Sequence, residues 1–187
     1  MGKILLIGLG AIGAVIGVFA IVVAMQPDEF AVTRSATIDA PPAAVFAHVN
    51  DFRKWDAWSP WAKLDPNAKN SFEGNAAGEG AIFKWSGNNE VGEGSMTIVE
   101  SKPPERIRIR LDFIKPMEDT SDVTFTFDPE GSGTKVTWAM SGKSNFVGKA
   151  MCMVMGMKET MNAKFDEGLA AMKKTVEAEA RSPSPTP

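Results

Sequence analysis

The sequence has no tyrosine, one cysteine (Cys152) and one histidine (His48). A lone cysteine excludes an internal disulfide framework, and Cys152 with His48 falls short of the donor set of a zinc site. Cys152 does sit among Met151, Met153 and Met155, and soft sulfur donors suit Cu(I). Alternate positions on a helix spread around it, however, so these sulfurs do not converge, and we expect neither metal nor cofactor. There is no G-x-S-x-G, and His48 lies three residues before Asp51 in a short helical stretch. A packed or solvent-facing ring is a plainer reading of that histidine than a catalytic base. Glu73, Glu93, Asp112 and Glu118 fall on turns or polar strand faces, with no two paired across a cavity. No run of lysine or arginine occurs either. Residues 28–187 hold all 23 acids and 19 of the 20 bases, a net charge of −4. Phosphate neutralisation needs clustered cations, so nucleic acid is excluded as a partner.

Ile4 to Met25, by contrast, is 22 residues without a charge. As a helix it would be about 33 Å long, against a hydrocarbon core of about 30 Å. Lys3 precedes it, and Pro27, Asp28 and Glu29 follow. The expectation is a single-pass transmembrane anchor over residues 1–27, with a cytoplasmic N-terminus and residues 28–187 extracytoplasmic. The alternative is a cleaved signal and a secreted domain, although the run is long and Val22-Val23-Ala24 is a weak cleavage site. Gly8, Gly10 and Gly13 match a dinucleotide-binding G-x-G-x-x-G, and Asp28 stands 20 residues beyond Gly8. Context denies that reading, because the segment after Gly13 has no polar face and Pro27 ends it. Gly13 and Gly17 could equally pack one membrane helix on another.

Phe30 to Ile38 alternates as a strand, and Pro41-Pro42 opens a short helix through Val49. Trp55, Trp58 and Trp61, at i, i+3 and i+6, share one side of a second short helix or turn and are read as core plugs. From Ser71 the period becomes two. Arg106 to Phe113 is a nearly perfect alternation of Arg106, Arg108 and Arg110 against Ile107, Ile109, Leu111 and Phe113. About six strands with short turns predict an antiparallel sheet with one wet face. After Gly142 the pattern turns helical: Ala150, Val154, Met157, Met161, Phe165, Leu169, Met172 and Val176 form one stripe, with an interruption expected near Gly156. Residues 181–187 read as a disordered tail. A curved antiparallel sheet wrapped around a long C-terminal helix, an α+β architecture, satisfies both apolar faces.

Methionine is concentrated from Met151 to Met172, and Phe146 to Met157 has one charge and is apolar on every side. Methionine packs adaptably, so the segment reads as ordinary core or as a flexible pocket wall. A stretch apolar all round must be buried, act as a lid, or touch lipid.

Several short stretches carry a family resemblance. They are Ile38-Asp39-Ala40-Pro41-Pro42-x-x-Val45-Phe46, Trp55-x-x-Trp58-Ser59-Pro60-Trp61, Trp85-x-Gly87-Asn88, Val91-Gly92-Glu93-Gly94-x-Met96-x-Ile98, and Phe165-Asp166-Glu167-Gly168-Leu169. In order and spacing, residues 30–178 resemble the polyketide cyclase/dehydrase-like branch of the SRPBCC (START-like, helix-grip) superfamily. The resemblance implies a helix-grip domain over residues 28–180, with a deep cavity between sheet and C-terminal helix for a hydrophobic small molecule or lipid. Trp85, Met96, Ile109, Phe125, Trp138, Met140, Met157, Met161 and Phe165 are the expected ligand-cavity residues. Phe146, Val147, Met151 and Met155 are the expected lid or entrance. The resemblance names no reaction. A membrane-anchored binding or carrier domain is the leading expectation. A cyclase or dehydrase-type enzyme acting in the same cavity, or an interaction module with a closed core, are the alternatives. Oligomeric state is not legible.

Overall fold

The computed structural model describes residues 2–181, with the side chains of residues 2–9, 11 and 155 outside the description. Helix α1 covers Gly2–Ala24, followed by strand β1 (Glu29–Ile38), helix α2 (Pro42–Val49) and a 3-10 turn over Phe52–Ala57. Strands β2 (Lys69–Gly74), β3 (Ala81–Ser86), β4 (Glu93–Lys102), β5 (Arg106–Lys115), β6 (Asp119–Glu130) and β7 (Gly133–Lys143) come next. Helices α3 (Phe146–Met155) and α4 (Met157–Arg181) close the chain. The expected tail beyond residue 181 lies outside the described residues. The dinucleotide motif is disposed of directly: Gly8, Gly10 and Gly13 lie within one continuous helix, with no strand-to-helix turn to cradle a phosphate. Among the described residues, no helix is long and apolar enough to cross a membrane. The uncharged run of α1 begins at Ile4, within the part whose side chains are not described.

The seven strands form one antiparallel sheet in the order β1-β7-β6-β5-β4-β3-β2. One strand before the short helices and six after them match the expected order, although β2 is exposed along its whole length. Pairing places side chains in cross-strand rows. Arg34, Trp138, Phe125 and Ile107 make one row of the inner face, and Val32, Met140, Val123, Ile109 and Ile98 the next. A third row runs Phe30, Gly142, Ser121, Leu111, Met96, Phe83 and Phe72. A fourth, at the sheet's far end, holds Phe113, Gly94 and Trp85. The three arginines of β5 point to the other face, where Arg106 and Arg108 meet Glu100 and Arg110 meets Asp112. Register shifts in β4 beside Gly94 and Ile98 add local twist to the curved sheet.

Helix α4 buries Phe165, Gly168, Leu169, Met172 and Val176 against this face. Its direction is fixed by three polar ties to the strand beneath. Arg34 meets Asp166 at 3.3 Å, the Lys173 ammonium donates to the Thr37 carbonyl at 2.6 Å, and the Asp39 amide donates to Glu177 at 2.9 Å. From residue 166 to 177 a helix advances about 16 Å, and from residue 34 to 39 a strand advances about the same. The two elements therefore run side by side and in step. Gly168 permits the close approach, since a Cβ there would lie 2.9 Å from Trp138 Cζ3 and 3.0 Å from Pro60 Cδ.

The aromatic core explains why helix and sheet stay together. Trp138 and Phe165 stack with centroids 4.0 Å apart, and Phe125 stacks on Trp138 at 5.0 Å. Trp58 meets Trp138 edge-on at 5.7 Å. The Trp55 and Trp58 indole N–H groups donate to the Val49 and His48 carbonyls at 3.0 and 3.3 Å, satisfying exposed ends of α2. Removing the Phe165 ring therefore leaves a cavity amid rigid rings. Phe165→Ala is expected to destabilise the domain by about 3–5 kcal/mol, read as a lowered urea midpoint at unchanged m-value.

Helix α3 is held differently. Asn145 caps it by accepting from the Gly148 amide at 2.8 Å, and Gly156, at φ 59°, ends it in the left-handed conformation a side chain would disfavour. The interruption expected near Gly156 is there. The Lys149 ammonium donates to the Asp28 carboxylate, and the Ser144 amide donates to the Asp28 carbonyl at 2.7 Å, so α3 is fastened to the segment joining α1 to β1. The hydrogen bond and charge of Lys149 hold the Asp28 carboxyl below its ordinary value of 3.8. A depressed carboxylate contributes stability above its unfolded pKa and loses it as pH falls through the folded value. The tie should thus be constant from neutral pH down to about pH 4 and fail only below. Hydrogen exchange of residues 146–155 is expected to rise at neutral pH in Asp28→Asn, and in the unmodified chain only under that stronger acid.

Candidate functional site

The deep hollow implied by the resemblance is not present at the middle of the grip. There the space between sheet and α4 is filled by Trp58, Trp138, Phe125 and Phe165, each buried. Trp138 and Phe165 thus serve as packing, as do Ile109, Phe125 and Met140. The physical reason lies in the tryptophans of the 3-10 turn and the loop after it. Trp55 and Trp58 are buried, and Trp61 stands edge-on to Trp138 and Phe165 at 5.9 and 6.3 Å. Large rings inserted from the side leave no room for a guest at that level.

The same inner face is left open further along. Burial is complete at Ile109, Val123 and Ile98, yet Phe30, Phe83, Trp85, Met96 and Phe113 are only partly buried. They occupy the third and fourth cross-strand rows, Phe30 on β1 and the other four over β3, β4 and β5. Phe83 stacks with Trp85 at 5.9 Å and tilts against Phe72 at 5.3 Å, while Trp85 meets Phe113 edge-on at 6.1 Å. The Trp85 N–H donates to the Val91 carbonyl at 2.9 Å, which fixes the ring across the strand. These side chains make an apolar shelf. Because α4 runs in step with β1 and places Phe165 over Trp138, Met161 falls one turn back, toward the shelf, and is partly buried. Met157, a further turn back, is exposed.

Of the nine expected cavity residues, Trp85, Met96 and Met161 therefore belong to the shelf or its roof, five are packed core, and Met157 is surface. Of the expected lid residues, Phe146, Val147 and Met151 are exposed on α3. The Met155 side chain lies outside the described residues.

Polar groups on the inner face are few. Ser121 sits in the third row, fully buried, and its hydroxyl has no hydrogen-bond partner. The Phe30 ring rests across Gly142 beside it, since a Cβ on Gly142 would lie 2.7 Å from Phe30 Cε1 and 2.9 Å from the Ser121 oxygen. Trp138 Nε1 is likewise buried without a partner. A buried orphan hydroxyl at the margin of an apolar surface is the kind of group a bound molecule satisfies. Asp119 faces Phe113 in register, at the exposed rim. Ser121, Phe30, Phe83, Phe113 and Asp119 escaped the sequence reading. Strand alternation marks Phe83 and Phe113 as inward, but a serine in an apolar row carries no signal until the register is known.

Of the residues weighed for chemistry, His48 lies far from the shelf, and the acids are ion-paired or border its open rim. His48 is buried at the opposite end, with Nε2 3.0 Å from a Glu179 oxygen and Nδ1 unpartnered, so it ties α2 to the end of α4. Glu73 pairs with Lys84 and Glu93 with Lys115, both at 2.7 Å, and Asp112 accepts from Arg110 and Thr120 at 2.9 and 2.7 Å. Glu118 lines an open depression of about 350 Å³ with Asp112, Phe113, Ile114, Asp119 and Thr120. Another open depression, of about 290 Å³, involves Lys69, Ser71, Lys84, Glu93 and Ser95. Cys152 Sγ is 3.9 Å from Met157 Sδ. Among the described residues, no group of three or more His, Cys, Asp or Glu side chains could hold a metal.

No curated protein matches the sequence. Solved structures match the fold. Protein CV1439 of Chromobacterium violaceum superposes with a TM-score of 0.57 at 18% identity, covering 81% of this chain and 99% of its own. Protein MLL2253 of Mesorhizobium loti gives 0.59 at 16%, over 80% and 98%. The Aha1 dimer of Colwellia psychrerythraea gives 0.57 at 14%, over 79% and 96%. At such identities the likeness is one of architecture. The sequence itself is more specific: residues 29–177, from the first strand almost to the end of α4, match the profile described as polyketide cyclase / dehydrase and lipid transport, and the chain belongs to that family, within the SRPBCC superfamily.

Proposed function

We propose that this protein is a membrane-anchored carrier that holds a hydrophobic small molecule or lipid on the open half of its inner sheet face. The observation that carries the reading is the change along one face, from fully buried Ile109 and Val123 to half-open Phe30, Phe83, Trp85, Met96 and Phe113. An apolar surface of that kind gains about 25 cal/mol for each Å² withdrawn from water. The Ser121 hydroxyl supplies one hydrogen-bonding group at its margin, which suits a long apolar molecule with a single polar end. Family membership supports ligand binding in general. The uncharged run from Ile4 to Met25 supports an anchor, with the N-terminus cytoplasmic and the grip domain on the outer side. A carrier fits the face better than a cyclase or dehydratase does. Those reactions need an acid or base poised over the substrate, and the carboxylate in register with the shelf, Asp119, stands exposed at its rim.

The test uses the full-length chain, released from detergent micelles into a native mass spectrometer after incubation with 11-(dansylamino)undecanoate. One saturable adduct per chain is expected. Met96→Glu places a charge on the shelf and should weaken the adduct at least tenfold, equivalent to about 1.4 kcal/mol. Val99→Glu, at an exposed position of β4, should leave it unchanged. Ser121→Ala should keep the stability of the unliganded chain, because its hydroxyl has no partner to lose, and weaken only the adduct. No saturable adduct, or equal binding by Met96→Glu, would overturn the carrier reading in favour of a module with a closed core.

A further inference from the structure

Helix α3 is built inside out. At 100° per residue, Phe146, Val147, Ala150, Met151, Met153 and Val154 fall within an arc of about 160°. Within that arc Phe146, Val147 and Val154 are 52%, 54% and 71% exposed. The helix's one charged side chain, Lys149, lies outside that arc, about 120° from its middle, is 8% exposed, and is paired with Asp28. A surface helix in water does the reverse, hiding its apolar stripe and showing its charges.

Two further features say what covers this face. Helix α3 packs against α1, whose Val18 and Ile21 are themselves exposed, as is Met25 just beyond its end. The bare apolar surface of one helix therefore continues onto the other, and at their junction the Lys149 ammonium is buried against the Asp28 carboxylate, which itself faces solvent. Exposed Lys143 and Lys158 flank α3 on either side, where they can reach phosphate. A second copy of the chain seated on α3 would leave the run of α1 uncovered, whereas a bilayer covers both at once.

We infer that the outer face of α3 lies in the boundary between headgroups and acyl chains of the phospholipid leaflet from which α1 emerges. This rests on the membrane-anchor reading and adds a second, in-plane contact to it. Helices of this kind sink about 5–10 Å into the leaflet. The contact fixes the tilt of the grip domain on the membrane. It also sets the shelf, roofed by the adjoining end of α4, next to the lipid.

The experiment uses the full-length chain carrying Cys152→Ser, reconstituted in phosphatidylcholine vesicles. A nitrobenzoxadiazole label is attached at Val154→Cys, at Val15→Cys within α1, or at Lys84→Cys on the sheet's outer face. Lipids brominated at shallow or deep acyl positions serve as quenchers. The Val154 label is expected to lose at least half its emission to shallow bromines and the Val15 label to deep ones, with the Lys84 label unaffected. Quenching at Val15 with none at Val154 would overturn the inference and leave the anchor standing. Quenching at neither position would overturn both. Self-quenching at Val154 that rises with protein density, without bromine quenching, would assign the face to a second copy and also overturn the inference.

Discussion

Everything in the domain depends on the stack of Phe165 on Trp138. It fastens the last helix to the sheet over one pair of strands, with Trp58 and Phe125 packed around it. Packed rings resist partial relaxation, so the grip is rigid where they meet. What lies to one side, toward α2 and the end of α4, is sealed. What lies to the other side, toward α3, is roofed only by the first turns of α4. The division of one sheet face into a filled half and an open half follows from where a single aromatic pair is placed.

The polar ties are arranged around that division. Arg34–Asp166, Lys173 with Thr37 and Glu177, and His48–Glu179 all lie on α4 from Asp166 onward. Exposed pairs such as Arg34–Asp166 are each worth about 1 kcal/mol or less. Their use is to set direction and register for a helix whose energy comes from buried rings. Among the described residues the first turns of α4 bear no such tie to the sheet, and α3 is tied to the α1–β1 segment instead. The two ends of the C-terminal helical region thus answer to different parts of the molecule.

Much of this was legible in the sequence. The alternation of Arg106 to Phe113 fixed the facing of β5 without ambiguity, because charge and apolarity divide there by parity. The stripe from Phe165 to Val176 located the buried face of α4, and Gly156 marked the break before it. The candidate site was read less well. Phe125, Trp138 and Phe165 are inward-facing and large, and composition cannot say whether such residues line a hollow or fill it. The answer came from Trp58 and Trp61, which approach from outside the sheet and occupy the volume. Ser121 was invisible for a related reason: only the pairing of Leu111 with Ser121 and of Ser121 with Gly142 puts it among apolar neighbours. Helix α3 was recognised as apolar all round, yet which way its lone lysine turned needed Asp28 in place.

The matched stride of α4 and β1 has an evolutionary corollary. A helix gains about 1.5 Å per residue and a strand about 3.3 Å, so the anchors at Asp166, Lys173 and Glu177 meet Arg34, Thr37 and Asp39 only at one ratio of lengths. Insertions or deletions in either partner alone would shift every later anchor out of reach. Relatives that lengthen the opening strand between these anchors must lengthen the closing helix by roughly two residues for each one added, or surrender the ties beyond the change.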